Sequence, residues 1–223
     1  MSLVIAFVVL LTSLGATPTN PYPIDILIDK DHCLKNVIEV ENIEANIAVE
    51  KMIEAAENDG IVISINSSFR DVPIQKELYK EDKANVAKIY CTEHHLAGVC
   101  DMAYPGHPPY HDSVQNKAIW KWLPVNAHKY GFVISYPEKH CPEWPKSNRI
   151  IAACGVDYKW EPWHIRYVGK KLAKKIFDAG YLDPDTKVIP QDFYVSYRVY
   201  YNNYSPAQPM QISFQYAIAH LFP

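Results

Sequence analysis

Apolar positions recur at helical spacing through NIEANIAVEKMIEAAENDG, residues 42–60, which predicts an amphipathic helix with Ile47, Val49, Met52, Ile53 and Ala56 against the core and Gly60 as its stop. The β-branched IVISINSSF, residues 61–69, then reads as a strand that delivers Arg70 at its end. PIQKELYKEDKANVAKIY, residues 73–90, predicts a second helix. SVQNKAIWKWLPVNAHKYG, residues 113–131, predicts a third, with Ile119, Trp122 and Leu123 inward, an interruption at Pro124 and an end at Gly131. FVISYP, residues 132–137, reads as a core strand, and KKLAKKIFDAG, residues 170–180, as a short glycine-stopped helix. Ahead of these, IDILIDKDHCL alternates Ile24, Ile26 and Ile28 against Asp25, Leu27 and Asp29, the pattern of a strand and turn.

Two segments carry too much proline or too many aromatics for this scheme. DMAYPGHPPYHD, residues 101–112, predicts a rim loop in which His107 and His111 face solvent. The region 181–223 is rich in Tyr and Phe and reads as an aromatic extension of unknown role containing a pair of strands.

With 223 residues, 48% hydrophobic and 21% charged, the chain is large enough to bury one real core. A net charge of −3 gives no electrostatic reason to expect nucleic acid, and no Walker loop or GxGxxG points to nucleotide chemistry. LVIAFVVLLTSLGA, residues 3–16, has the length of a signal-peptide core and is short for a membrane span. Residues 1–16 are therefore expected to be a signal peptide, leaving a secreted, extracellular monomer without stable membrane association, periplasmic or wall-associated if the source is bacterial. In such a compartment the five cysteines allow two disulfides. Cys141 with Cys154 is the first expectation, because the two bracket a polar loop, and Cys91 with Cys100 is an alternative. Cys100 reads as a small buried apolar residue.

The candidate chemistry lies in TEHHLAGVCDM, residues 92–102, and EPWHIRYVG, residues 161–169. His94, Asp101 and His164 form a three-ligand set of the kind that catalytic zinc uses, with a fourth position left open. Glu161 would sit close by without binding the metal. Pro162 inside the second motif argues against a helix and for an edge or turn. A register shifted by one residue would instead place His95 on the metal.

Those two blocks, together with SSFRDVPIQ at residues 67–75, resemble in the same order three motifs of the VanY-type D-alanyl-D-alanine carboxypeptidases and their LD-carboxypeptidase relatives, a family of zinc peptidases. The resemblance covers roughly residues 24–180. It implies an α+β fold, a mainly antiparallel sheet with helices packed on it, and one zinc ion in a groove on the sheet held by His94, Asp101 and His164. It implies that Glu161 acts as base and acid, that Arg70 stabilises the oxyanion or holds the terminal carboxylate, and that Gln75 and Tyr136 face the substrate. The implied substrate is a peptidoglycan stem peptide ending in D-alanine, cut by zinc-activated water. Three alternatives stay open, a wall endopeptidase, a secreted zinc-containing binding protein without turnover, and a disulfide-stapled structural protein with no metal. The matches are not uniform: Ala97 stands where the family has glycine, Gly98 comes one place later, and Ser68 replaces another family glycine.

Overall fold

A computed structural model describes residues 22–139 and 159–195 of the chain. The apolar leader, the Cys141–Cys154 pair and the tail strands past residue 195 lie outside the described residues. Among the described residues no helix is long and apolar enough to cross a membrane.

In chain order the elements are α1 (Ile43–Asn58), β1 (Ser64–Ser67), α2 (Val72–Glu81), β2 (Val99–Ala103), α3 (Val114–Asn126), β3 (Phe132–Tyr136), β4 (Glu161–Tyr167) and α4 (Lys170–Asp178). The strands form one antiparallel sheet in the order β1-β2-β4-β3. The architecture is thus α+β, a mainly antiparallel sheet with helices packed on it, as the family resemblance implies.

Alternation of side chains along the strands gives the sheet two different faces. Cys100, Met102, Ile134, Ile165 and Tyr167 join Val49 and Met52 of α1, Ile119 and Leu123 of α3, and Ala173 and Ile176 of α4 in the main apolar core. Asp101, Ser135, His164 and Arg166 are buried as well, yet they engage one another and the segments covering the opposite side. A smaller apolar cluster of Tyr22, Ile26, Ile28, Leu34, Leu96 and Val99 lies apart from the main core.

Several local outcomes differ from the sequence pattern for identifiable reasons. Ile47 is 48% exposed, because Ala45 and Ala48 take the inward side of α1. The second helix ends at Glu81 rather than near Tyr90, where the Asp82 side chain accepts bonds from the Ala84 and Asn85 amides and closes a turn. Residues 24–34 keep the predicted burial of Ile26 and Ile28 but form a single parallel bridge, Ile26 to Val195, in place of a strand. Asp29 accepts bonds from the Asp31 and His32 amides and turns the chain early. Cys91 pairs with Cys33 instead of Cys100, which is a buried free thiol. Pro124 is accommodated inside α3, which gives way to a 3₁₀ turn, Ala127–Tyr130, before Gly131 at φ 91°.

Residues 181–195, within the aromatic extension, pack on the core. The Ile134 N–H donates to the Tyr181 hydroxyl at 3.1 Å, Gln191 Nε2 donates to the Ser135 carbonyl at 2.9 Å, and the Arg166 guanidinium lies 4.4 Å from the Tyr194 ring centre.

Candidate metal centre

Thr92 caps a single 3₁₀ turn, Glu93–His95, its hydroxyl accepting the His94 N–H at 3.2 Å. With three residues per turn, successive side chains leave the axis about 120° apart. Glu93, His94 and His95 therefore diverge, although all three are at least 97% buried. Polar side chains so buried need partners, and each finds a different one.

His94 donates from Nδ1 to the Ser68 carbonyl at 2.7 Å, which leaves the Nε2 lone pair facing Asp101 Oδ2 at 3.1 Å. Asp101 and His164 are direct cross-strand partners on β2 and β4, and His164 Nδ1 lies 3.1 Å from Asp101 Oδ1. The other nitrogen of His164, Nε2, is 3.2 Å from Glu93 Oε2 and donates to it. Glu93 is held in turn by Arg166 Nη1 at 2.8 Å and the Ser135 hydroxyl at 2.6 Å, while Arg166 Nη2 donates to the carbonyls of Ile24 and Ile26.

The ligand atoms of His94, Asp101 and His164 all lie within 4.8 Å of one another. Both rings have their outward nitrogen occupied as a donor, to Ser68 and to Glu93, and both turn the remaining nitrogen onto the same carboxylate. Two imidazole nitrogens and a carboxylate converging in this way can share a cation. Outer partners that fix the tautomer of each ring are what a metal-binding histidine requires. The donor set fits a divalent ion of the zinc type. His95 is not part of it: its Nδ1 donates to the Arg70 carbonyl at 2.7 Å.

Charges in the cluster are strongly coupled. Burial alone would raise Asp101, yet the adjoining His94 and His164 pull it well below the usual carboxylate range. Burial lowers His94. It would lower His164 too, but the bonds to Asp101 and Glu93 outweigh it and raise that imidazole. Burial pushes the Cys100 thiol up to about 12, which makes it inert beside the site.

Two register irregularities flank the Asp101–His164 pair. On β1, Ile65 opposes Met102 and Ser67 opposes Asp101, so one extra residue bulges before Ser67. On β4, Ile165 opposes Ile134 while Glu161 opposes Tyr136, four residues of β4 against two of β3. Glu161 and His164 are three apart and would face opposite sides of a regular strand. Here Glu161 Oε2 comes to 3.8 Å from His164 Nδ1. Bulges beside sites re-aim side chains in this manner. Burial pushes the Glu161 carboxyl up to about 7.

Arg70 follows the bulged end of β1. Its Nε donates to the Ser67 hydroxyl at 3.0 Å and its Nη2 to Asp101 Oδ2 at 2.8 Å. The ring of Tyr136 is 4.8 Å from that of His164, tilted by 38°. Gln75 is wholly buried and donates to the Ala87 carbonyl at 2.7 Å, tying α2 to the loop after it. His107 packs between the rings of Tyr104 and His111 and is outside the ligand cluster. Trp120 meets Trp160 edge-on and Trp163 at a 48° tilt, a packing arrangement. Sequence reasoning passed over Glu93 and Arg166. Glu93 carried a signal, a carboxylate directly before the candidate ligand His94 in a block already singled out.

Comparison with known proteins agrees with this fold and donor set. The family described as "VanY: D-alanyl-D-alanine carboxypeptidase" matches residues 39–170, and the chain belongs to that family. "Putative carboxypeptidase YodJ" of Bacillus subtilis is 32% identical over 176 residues, covering 73% of this chain and 60% of the relative. The chain thus spans about 60% of the length of that curated relative. The LdcB LD-carboxypeptidase structure, described as revealing the basis of peptidoglycan recognition, superimposes with a TM-score of 0.52 at 28% identity, covering 69% of this chain and 80% of that one. A vancomycin-resistance D,D-pentapeptidase VanY variant in complex with Zn(II) has the same fold, with a TM-score of 0.54 at 22% identity, covering 75% of this chain and 97% of that one.

Proposed function

We propose that this chain is a zinc-dependent carboxypeptidase that removes a terminal D-alanine from peptidoglycan stem peptides, acting outside the cytoplasm after loss of residues 1–16, with residues 24–180 as its catalytic unit. The observation that carries the reading is the convergence of His94, Asp101 and His164 with each ring's second nitrogen already bound to an acceptor. Membership of the carboxypeptidase family and the Zn(II) in a structural neighbour support it.

Zinc held by those three residues would supply a Lewis acid and a water of lowered pKa. Glu161, raised toward neutrality beside His164, suits a group that accepts a proton from the attacking water and returns it to the leaving amine. Arg70 offers a guanidinium at the edge of the site, fixed by Ser67, to meet the substrate's carboxylate or the oxyanion. Tyr136 borders His164 and would line the substrate's path, whereas Gln75, wholly buried with its amide on the Ala87 carbonyl, would support α2 rather than meet the substrate. The partner is a single stem peptide, bound by a monomer.

The test is a digest of synthetic stem peptides ending in D-Ala-D-Ala, followed by mass spectrometry, with and without a chelator. Release of free D-alanine that stops on chelation and returns with zinc is expected. Cleavage inside the peptide would make the protein an endopeptidase, and zinc binding without any product would make it a binding protein.

A further inference from the structure

We infer that His95 is a positioning residue that locks the backbone of Arg70 to the ligand His94. The inference rests on the carboxypeptidase reading for what Arg70 does, and on hydrogen bonds alone for what His95 does. β1 ends at Ser67 and α2 begins at Val72, so the residues between them lie outside both elements. Three bonds from the histidine pair hold them. His94 Nδ1 donates to the Ser68 carbonyl at 2.7 Å, the Arg70 N–H donates to the His94 carbonyl at 2.8 Å, and His95 Nδ1 donates to the Arg70 carbonyl at 2.7 Å. Arg70 is thus bound through the peptide groups on both its sides.

The clamp matters because the side-chain anchor is shared. Asp101 Oδ2 accepts from Arg70 Nη2 and also faces His94 Nε2, so a cation taken up by Asp101 and His94 competes for the oxygen that holds the guanidinium. What then keeps Arg70 in place relative to the metal is the Ser67 hydroxyl and the backbone bonds, of which His95 supplies one. His95 is 2% exposed, and its Nε2 is buried without a partner. The residue therefore acts through Nδ1 alone. Asparagine, whose amide nitrogen overlays that position, should replace it, whereas glutamine, which overlays Nε2, should not.

The experiment compares His95→Ala, His95→Asn and His95→Gln in the zinc-loaded protein by amide exchange at Arg70, zinc stoichiometry and steady-state kinetics. Arg70 exchange should quicken on the order of tenfold in the Ala and Gln variants and stay near wild type in Asn, with α1 amides unchanged in all three. Zinc content should hold, and kcat/KM should fall by about 10²-fold in Ala and Gln while Asn retains it. Unchanged Arg70 exchange in His95→Ala, loss of zinc in step with activity, or rescue by Gln instead of Asn would overturn the inference. If the Ala variant does not fold, the Asn and Gln pair decides it. A wild type that turns over no peptide would defeat the carboxypeptidase reading and leave the exchange rates to judge the clamp.

Discussion

Two carboxylates flank His164, and their surroundings drive them in opposite directions. Glu93 lies 3.2 Å from one ring nitrogen and Glu161 lies 3.8 Å from the other. Both are pushed up by burial. At Glu93 the Arg166 guanidinium, the His164 ring and the Ser135 hydroxyl more than reverse that push and bring it down to about 2. At Glu161 burial comes first, joined by the repulsion of Asp101 and Glu93, and the Coulombic attraction of His164 and Arg70 does not offset them, which leaves it at about 7. Burial thus fixes a charge where donors are supplied and holds a proton near neutrality where they are not. The first arrangement builds the site and the second can do chemistry in it.

The sharpest way to break this comparison is to remove the structural carboxylate. Glu93→Ala leaves Arg166, 1% exposed, as a buried cation without its partner. Loss of one member of a buried pair is expected to destabilise the fold by about 3–5 kcal/mol, read from urea unfolding. Replacing both members by apolar residues, Glu93→Leu with Arg166→Met, should recover only part of that loss, because the Ser135 hydroxyl, His164 Nε2 and the carbonyls of Ile24 and Ile26 lose these partners. A Glu93→Ala protein with an unshifted midpoint would show that the two carboxylates do not differ in kind.

Glu161→Gln probes the other side. Its side chain is 26% exposed, and the change removes a charge that burial disfavours, so stability should move by no more than about 0.5 kcal/mol. Turnover should fall by about 10²- to 10⁴-fold with zinc still bound, the range for loss of a positioned proton-transfer group. Wild-type rates in this variant would remove Glu161 from the reaction.

How much of this was legible in the sequence depends on the kind of interaction. Helical periodicity located α1 and α3, because burying an apolar stripe leaves a record at every third or fourth position, as at Met52, Ile119 and Leu123. Family resemblance singled out both metal-site blocks. The cross-strand pairing of Asp101 with His164, and the two bulges beside it, leave no such record, since register is set by partners distant along the chain. The same holds for Cys33 with Cys91, 58 residues apart, and for the bond from Arg166 back to Ile24 and Ile26. Glu161 does sit close by as expected, but alternation alone would put it on the face away from His164, and the irregular register of β4 is what brings it there.

The smallest effect concerns whether a burial-shifted group is by itself a sign of function. His128 is a control for that question. It stacks on Phe177 with ring centres 3.6 Å apart, its Nδ1 is buried without a partner, and burial lowers its pKa, as it raises that of Glu161. The groups that act on it, Phe177, Lys129, Asp178 and Lys174, include no ligand of the candidate metal centre. Because the folded state resists protonation there, stability is intact above the ordinary imidazole value of 6.5 and is lost as pH falls below it, where the unfolded chain takes up the proton first. His128→Gln should therefore reduce the drop in urea midpoint between about pH 7.5 and about pH 5.5 while leaving peptide turnover unchanged. A change in turnover would mean that desolvation at this distance reaches the chemistry. An unchanged drop would mean that His128 titrates alike in the folded and unfolded chains. With the expected result, a shifted pKa marks function only where, as at Glu161, it sits against groups that converge on one point.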